Sequence, residues 1–192
     1  MQNPPEISKP VRDVPDTQLF SFLTASLLSI YRTKRSLVTR LPKIACQAAS
    51  GELKSVMMEI TNDLAVQILR LDKIFALLGF DKSLTKNLPV FSLNENTFQS
   101  TVTKNVDPMI NEFDILLYIS NLESMDIAAF PMVLSAADKL GFDDIRQLLQ
   151  ECFDDANDNR ALIDVIVDKY LAAQYENRKI KLSLDVKADN HM

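Results

Sequence analysis

The sequence predicts an all-α protein, an antiparallel four-helix bundle with one long crossover, and three observations carry that reading. Apolar residues recur at alternating steps of three and four along four separate segments, the spacing of side chains that line one face of a helix. The 192 residues include only three glycines and no tryptophan, a composition that favours helices over a sandwich or barrel. The breaks between the segments run short, long, short, so the first two helices form one hairpin and the last two another.

Residues 1–15 carry Pro4, Pro5, Pro10 and Pro15 among polar neighbours and read as an extended, poorly ordered arm. The first helix is expected over 16–49, capped by Asp16 or Thr17. Its inner face holds Phe20, Leu23, Leu27, Ile30, Lys34, Leu37, Leu41 and Ile44. Pro42 removes one backbone hydrogen bond and should bend this helix near Val38 to Leu41. Ser50 and Gly51 make the turn into a second helix, 51–78, which presents Leu53, Met57, Ile60, Leu64, Gln67, Leu71, Ile74 and Leu78 and ends at Gly79.

From 80 to 106 the periodicity fades, and Pro89 with polar runs of Asn, Ser and Thr marks a long connection. Asp107 and Pro108 supply an N-cap and a first-turn proline for the third helix, 108–140. Its inner face is Ile115, Ile119, Leu122, Asp126, Ala129, Val133, Ala136 and Leu140; Pro131 interrupts it and Gly141 ends it. The fourth helix, 144–176, starts at Asp143 or Asp144 and turns Ile145, Leu148, Cys152, Asp155, Asn159, Leu162 and Ile166 inward. Beyond Arg178 the charged tail 179–192 is expected to fray. Residues 16–178 therefore form one domain, which suits a chain of this length.

A net charge of −5 and a pI near 4.9 argue against a nucleic-acid or anionic-membrane surface, because neutralising phosphates requires clustered Lys and Arg. No stretch has the roughly 18 to 20 uninterrupted apolar residues of a membrane span, and the proline-rich start is no secretory signal. Cys46 and Cys152 sit in helical runs without metal-ligand spacing and read as small apolar core residues in a reducing compartment, the cytoplasm. Phe75, Phe130 and Met132 lie off the four inner faces and point to a packed interface between two copies, a homodimer.

Three charges interrupt the apolar faces: Lys34 on the first helix, Asp126 on the third and Asp155 on the fourth. Aimed into one interior, they form a cluster in which Lys34 pairs with Asp126 and Asp155 so that no charge is buried alone. The competing reading lets Lys34 snorkel to water and both acids face solvent. Hairpin, crossover, hairpin is the connectivity of the ferritin-like bundle, whose metal-binding members hold two iron or manganese ions with inward carboxylates and two Glu-x-x-His pairs. Here there is no Glu-x-x-His, and the single histidine, His191, is the penultimate residue.

Several stretches resemble a known family. YRTKRSLVTRLPKIA with SGELK after it, VQILRLDKIFALLG, LESMDIAAFPMVLSAADKLGF and LLQECFDD are similar to the YciE and YciF type of bacterial ferritin-like proteins. That resemblance spans most of residues 17–175 and implies a stress-associated helical domain of unknown biochemical function. It also implies a former metal site. The family's first-helix Glu falls on Lys34, its second-helix ligand pair on Asn62 and Ala65, its third-helix acid on Asp126 with Glu123 one turn earlier, and its fourth-helix acids on Asp154 and Asp155. A later fourth-helix acid falls on Arg160.

A pair of divalent ions needs several carboxylates, and an ammonium at the site removes one ligand and adds repulsion. The leading expectation is accordingly a metal-free, non-enzymatic member, a stress-associated scaffold or interaction protein without a cofactor. The alternative is a di-iron or di-manganese protein using Glu59, Asn62, Asp126, Asp154, Asp155 and Asp158 as an all-oxygen site. A third reading makes Lys34 a base or nucleophile with a depressed pKa.

Overall fold

The computed structural model describes residues 17–46, 48, 50–82 and 108–189. Four helices account for almost all of them: α1 (Thr17–Ala45), α2 (Gly51–Leu77), α3 (Pro108–Lys139) and α4 (Asp143–Asp189). The expected arm 1–15, the body of the crossover, the Asp107 cap and His191 lie outside the described residues.

Two helix ends show why the chain turns where it does. Gly79, at φ 62°, donates to Ala76 O, and Phe80 N–H reaches back to Phe75 O at 3.0 Å. Gly141, at φ 69°, does the same, with Phe142 N–H on Ala137 O at 2.9 Å. Each is a paired capping arrangement whose left-handed residue is favourable only without a Cβ. At the other hairpin, Ser50 Oγ accepts from Leu53 N–H and caps α2.

α1 runs unbroken through Pro42 and stops at Ala45, four residues short of the expected end, because Ser50 must adopt the extended conformation that caps α2. α4 is longer than expected. Its 47 residues continue through the tail assigned to fraying, since 179–189 contain no proline or glycine and are rich in Lys and Leu.

Two apolar cores hold the bundle. One joins Leu37, Leu41 and Ile44 of α1 to Leu53 through Leu64 of α2, Ile115 through Leu122 of α3, and Ile163 and Ile166 of α4. The other joins Leu23, Leu27 and Ile30 of α1 to Leu71, Ile74 and Phe75 of α2, Phe130 through Ala137 of α3, and Ile145, Leu149, Cys152 and Ala156 of α4. The start of α1 and the start of α4 therefore meet the ends of α2 and α3. α1 and α4 run parallel to each other and antiparallel to α2 and α3, with α1 flanked by α2 and α3, and α4 by the same two. α2 and α3 point the same way, so the end of α2 and the start of α3 lie at opposite ends of the bundle.

Two expectations about surfaces change. Phe75 and Phe130 are buried, Phe75 edge-on to Tyr31 at 5.5 Å, and only Met132 of that trio is exposed. Cys46 is exposed in the α1–α2 turn while Cys152 is buried, since α1 ends before Cys46 can face the core.

A Cβ added at Gly141 would meet nothing within 4 Å, so replacement by alanine costs only backbone strain. Gly141→Ala should lower stability by about 1 kcal/mol. Urea denaturation showing no loss would remove the left-handed cap as the reason for this turn.

Candidate functional site: a buried charged layer

Between the two apolar cores every helix contributes a polar residue. Lys34 of α1, Gln67 of α2, Glu123 and Asp126 of α3 and Asn159 of α4 are all buried, Lys34 and Gln67 at 0 % exposure. Lys34, Gln67, Asp126 and Asn159 fall at this level because each takes one place on its helix's 3–4 seam, and Glu123 lies beside the α3 seam one turn before Asp126.

Lys34 Nζ lies 2.5 Å from Asp126 Oδ2 and 5.8 Å from the centre of the Phe130 ring. Burial alone would lower its pKa, but the nearby charges of Asp126 and Glu123 outweigh that and raise it above the ordinary lysine value. Lys34 is thus a cation at neutral pH. The depressed pKa that a lysine nucleophile requires is the opposite of what its neighbours impose.

Glu123 Oε1 accepts from Asn159 Nδ2 at 3.3 Å. Burial drives its carboxyl from 4.5 up to about 7; Lys34 and the Asn159 hydrogen bond oppose this, while Asp126 and Asp63 add to it. Glu123 Oε2 and both polar ends of the Gln67 side chain meet no hydrogen-bond partner among the described residues. Such groups cost stability, so the layer interrupts a core that would be firmer without it. Cys152, whose Sγ is 4.0 Å from Gln67 O, has its thiol pushed by burial to about 11 against the pull of Lys34 and Arg70. It stays a neutral core side chain.

The structure does not bring Asp155 to Lys34. Asp155 is half-buried at the rim between α2 and α4, bound by Arg70, which also reaches Glu151 Oε2 at 3.0 Å. The reason is the phase of the α4 seam. Its buried residues are Ile145, Leu149, Cys152, Ala156, Asn159, Ile163 and Ile166, which share every seventh position with the expected face but take Ala156 in place of Asp155. Alanine costs nothing to desolvate and an aspartate does. The acid that does join Lys34 and Asp126 is Glu123, one turn before Asp126.

Of the remaining positions in the resemblance, Asn62 and Asp154 are exposed and Ala65 is half-buried. Glu59 and Asp158 of the all-oxygen alternative are exposed as well. Both act on Asp63 of α2, whose carboxyl is raised by partial burial and by Asp155, Glu59 and Asp158. Arg160 donates to Ser124 Oγ and pairs with Asp164 at 3.1 Å, tying α4 to α3. Sequence reasoning missed Arg70; Glu151 and Asp155, one turn apart beside the seam, were the signal that the neighbouring helix must offer a cation.

These residues do not fit a pair of divalent ions. Among the described residues the interior offers two carboxylates, one already paired with an ammonium, and the four helices contain no histidine. Among the described residues no group of three or more His, Cys, Asp or Glu side chains is arranged to hold a metal.

A family model described as a domain of unknown function (DUF892) matches residues 18–175. Among solved structures, the Escherichia coli stress protein YciF aligns with a TM-score of 0.72 at 14% identity, covering 81% of this chain and 98% of that one. YcfI, a putative structural protein from Rhodopseudomonas palustris, aligns at 0.67 and 19%, covering 81% and 96%. A protein from Xanthomonas campestris pv. campestris aligns at 0.54 and 17%, covering 82% and 99%. No curated protein matches in sequence. At these identities the likeness establishes a shared helical-bundle fold.

Two predictions follow from the charged layer. Lys34→Met strands Asp126, and should cost about 3 to 5 kcal/mol; adding Asp126→Leu and Glu123→Gln should recover much of it, because a buried ion pair replaced by apolar residues is often neutral or stabilising. Urea midpoints of the single and triple variants decide this, and an undiminished midpoint for Lys34→Met would make the lysine structurally idle. The second concerns pH. A carboxyl whose pKa is higher folded than unfolded binds its proton more tightly in the native state, so the contribution of Glu123 to stability is fully present below 4.5 and is lost as pH rises through about 7. Glu123 should account for about 3 kcal/mol lost between pH 4.5 and 8, and Glu123→Gln should flatten that slope. Equal slopes in parent and variant would refute the assignment.

Proposed function

The chain belongs to the family described as a domain of unknown function (DUF892), and from that premise we propose that it is a metal-free, non-enzymatic ferritin-like scaffold that acts by binding other protein surfaces. The observation that carries this reading is the Lys34–Asp126 ion pair. A protonated lysine occupies the layer where a metal-binding relative needs negative charge, and it already neutralises one of the two interior carboxylates.

The surrounding chemistry supports the same reading. The thiol of Cys152 is neutral, the ammonium of Lys34 is charged, and neither is available as a nucleophile at neutral pH. Arg70 and Arg160 bind the acids and hydroxyls at the rims of the layer. Their positive charge would further oppose divalent ions.

The likeness to a stress protein and to a putative structural protein supports a stress-associated structural role. A cytoplasmic site of action agrees with two unpaired cysteines and with four helices none of which is long and apolar enough to cross a membrane. We propose no nucleic-acid or membrane partner, given the acidic balance of the chain.

Protein expressed with ample iron or manganese should retain well under one equivalent of metal per chain after dialysis, measured by inductively coupled plasma mass spectrometry. Near-stoichiometric metal that disappears in Asp126→Ala would replace this reading with the di-iron or di-manganese one.

A further inference from the structure

Charge in this molecule is sorted by helix. α1 carries five Lys or Arg residues and no Asp or Glu, whereas α4 from Asp143 to Asp168 carries eight acids against two arginines. Both helices are flanked by α2 and α3, so they stand on opposite sides of the bundle and turn their outer faces in opposite directions. A chain of net charge −5 therefore has one positive side.

The helical repeat places the cations of α1. At about 100° per residue, Arg32 and Lys43 fall almost opposite the inward Lys34, and Ser36 and Thr39 fill the line between them over about 17 Å. Arg35 and Arg40 flank that line. Arg35, Thr39 and Lys43 are exposed, and Arg32, Ser36 and Arg40 are half-buried. α2 adds the exposed Lys54, about 200° round its helix from Glu52. Glu52 itself is held on the far side by Lys169 of α4 at 2.8 Å, and Asp63 of α2 lies within the field of Asp155 and Asp158 of α4. α2 thus turns these acids away from α1.

Folding alone does not account for the stripe. Lys43 in the last turn suits the helix dipole. Arg32 with Arg35, and Arg40 with Lys43, are like charges three residues apart, an arrangement that weakens a helix. Acids one turn away would offset this without touching the core, and α1 has none. Other cations of the bundle are used locally: Arg70 holds Asp155 and Glu151, and Arg160 holds Asp164.

We propose that the outer face of α1, from Arg32 to Lys43, is the docking surface for an acidic polypeptide segment of a partner protein. Charge complementarity selects this occupant. A partner helix about 10 Å wide, with acids at every third or fourth position, lies along the stripe and meets its cations in turn. A lipid surface would need apolar side chains on this face to insert, and the line from Arg32 to Lys43 has only polar ones. A nucleic-acid duplex would need more phosphates neutralised than this short stripe can reach. The acids of α4 repel an acidic partner from the opposite side and so orient its approach.

This inference rests on the scaffold reading and names the chemistry of its partner. The probe is a synthetic helical peptide with Glu at every third and fourth position, titrated into the full chain at about 0.15 M salt and followed by NMR amide shifts. The shifts should gather on residues 32–43 of α1. Arg35→Glu/Lys43→Glu should weaken binding by at least about tenfold with unchanged circular dichroism, and Arg35→Lys/Lys43→Arg should retain it. No binding at that salt, shifts centred on another helix, or an affinity indifferent to the glutamates overturns the proposal. So does a DNA duplex or a phosphatidylserine vesicle that occupies the same face more tightly than the peptide. The scaffold reading fails separately, by near-stoichiometric bound metal, which leaves the peptide titration to be read as before.

Discussion

The ion pair between Lys34 and Asp126 constrains the bundle more than any single apolar contact. An ammonium at 0 % exposure is tolerable only where a carboxylate meets it, so α1 and α3 can associate in one vertical register and not in one shifted by a turn. Leucine seams alone would accept such a shift at modest cost, because one leucine knob resembles the next. The pair contributes little net stability after desolvation is counted. Its value is that the wrong alignments leave a bare charge in the interior.

Around that pair the polar layer is only partly satisfied. Asn159 serves one oxygen of Glu123, while the other oxygen and the ends of Gln67 find no protein partner among the described residues. The bundle therefore consists of two apolar cores separated by a polar band in which burial pushes the Glu123 carboxyl up to about 7. Burial raises the Glu123 carboxyl on α3, and partial burial together with Asp155, Glu59 and Asp158 raises that of Asp63 on α2 in the same direction. Arg70 and Arg160 close the band at the rims, each from a position flanking a seam.

The distribution of charge over the outside separates two kinds of surface. Acids on α4 keep that face hydrated and discourage contact with another acidic chain, whereas α3 offers a neutral strip of methionine and small residues beside the uncharged first half of α1. Between Ile115 and Ala137 the only Asp, Glu, Lys or Arg residues of α3 are the buried Glu123 and Asp126, while Asp138 and Lys139 at its end are exposed.

Much of this architecture was legible in the chain by itself. The faces of α1 and α2 could be read residue by residue, because an apolar side chain at every third or fourth position has one physical outcome in water. Gly79 and Gly141 marked helix ends because only glycine adopts the left-handed cap without strain, and Lys34 stood out because a lysine interrupts an otherwise apolar seam. Other features needed the tertiary structure. On α4 the pairs Leu148/Leu149, Asp155/Ala156 and Leu162/Ile163 allow two seam phases that share every seventh residue, and periodicity does not choose between them. Packing chose Ala156, put Asp155 at the rim with Arg70, and left Glu123 to join Lys34 and Asp126. Phe75 and Phe130 likewise lie just beside their seams, where a helix crossing brings them under the neighbouring helix instead of into solvent. Spacing along a chain fixes which residues share a helix face, but how far each helix is turned about its axis is set by its neighbours, and a turn of one residue decides which acid meets a buried lysine.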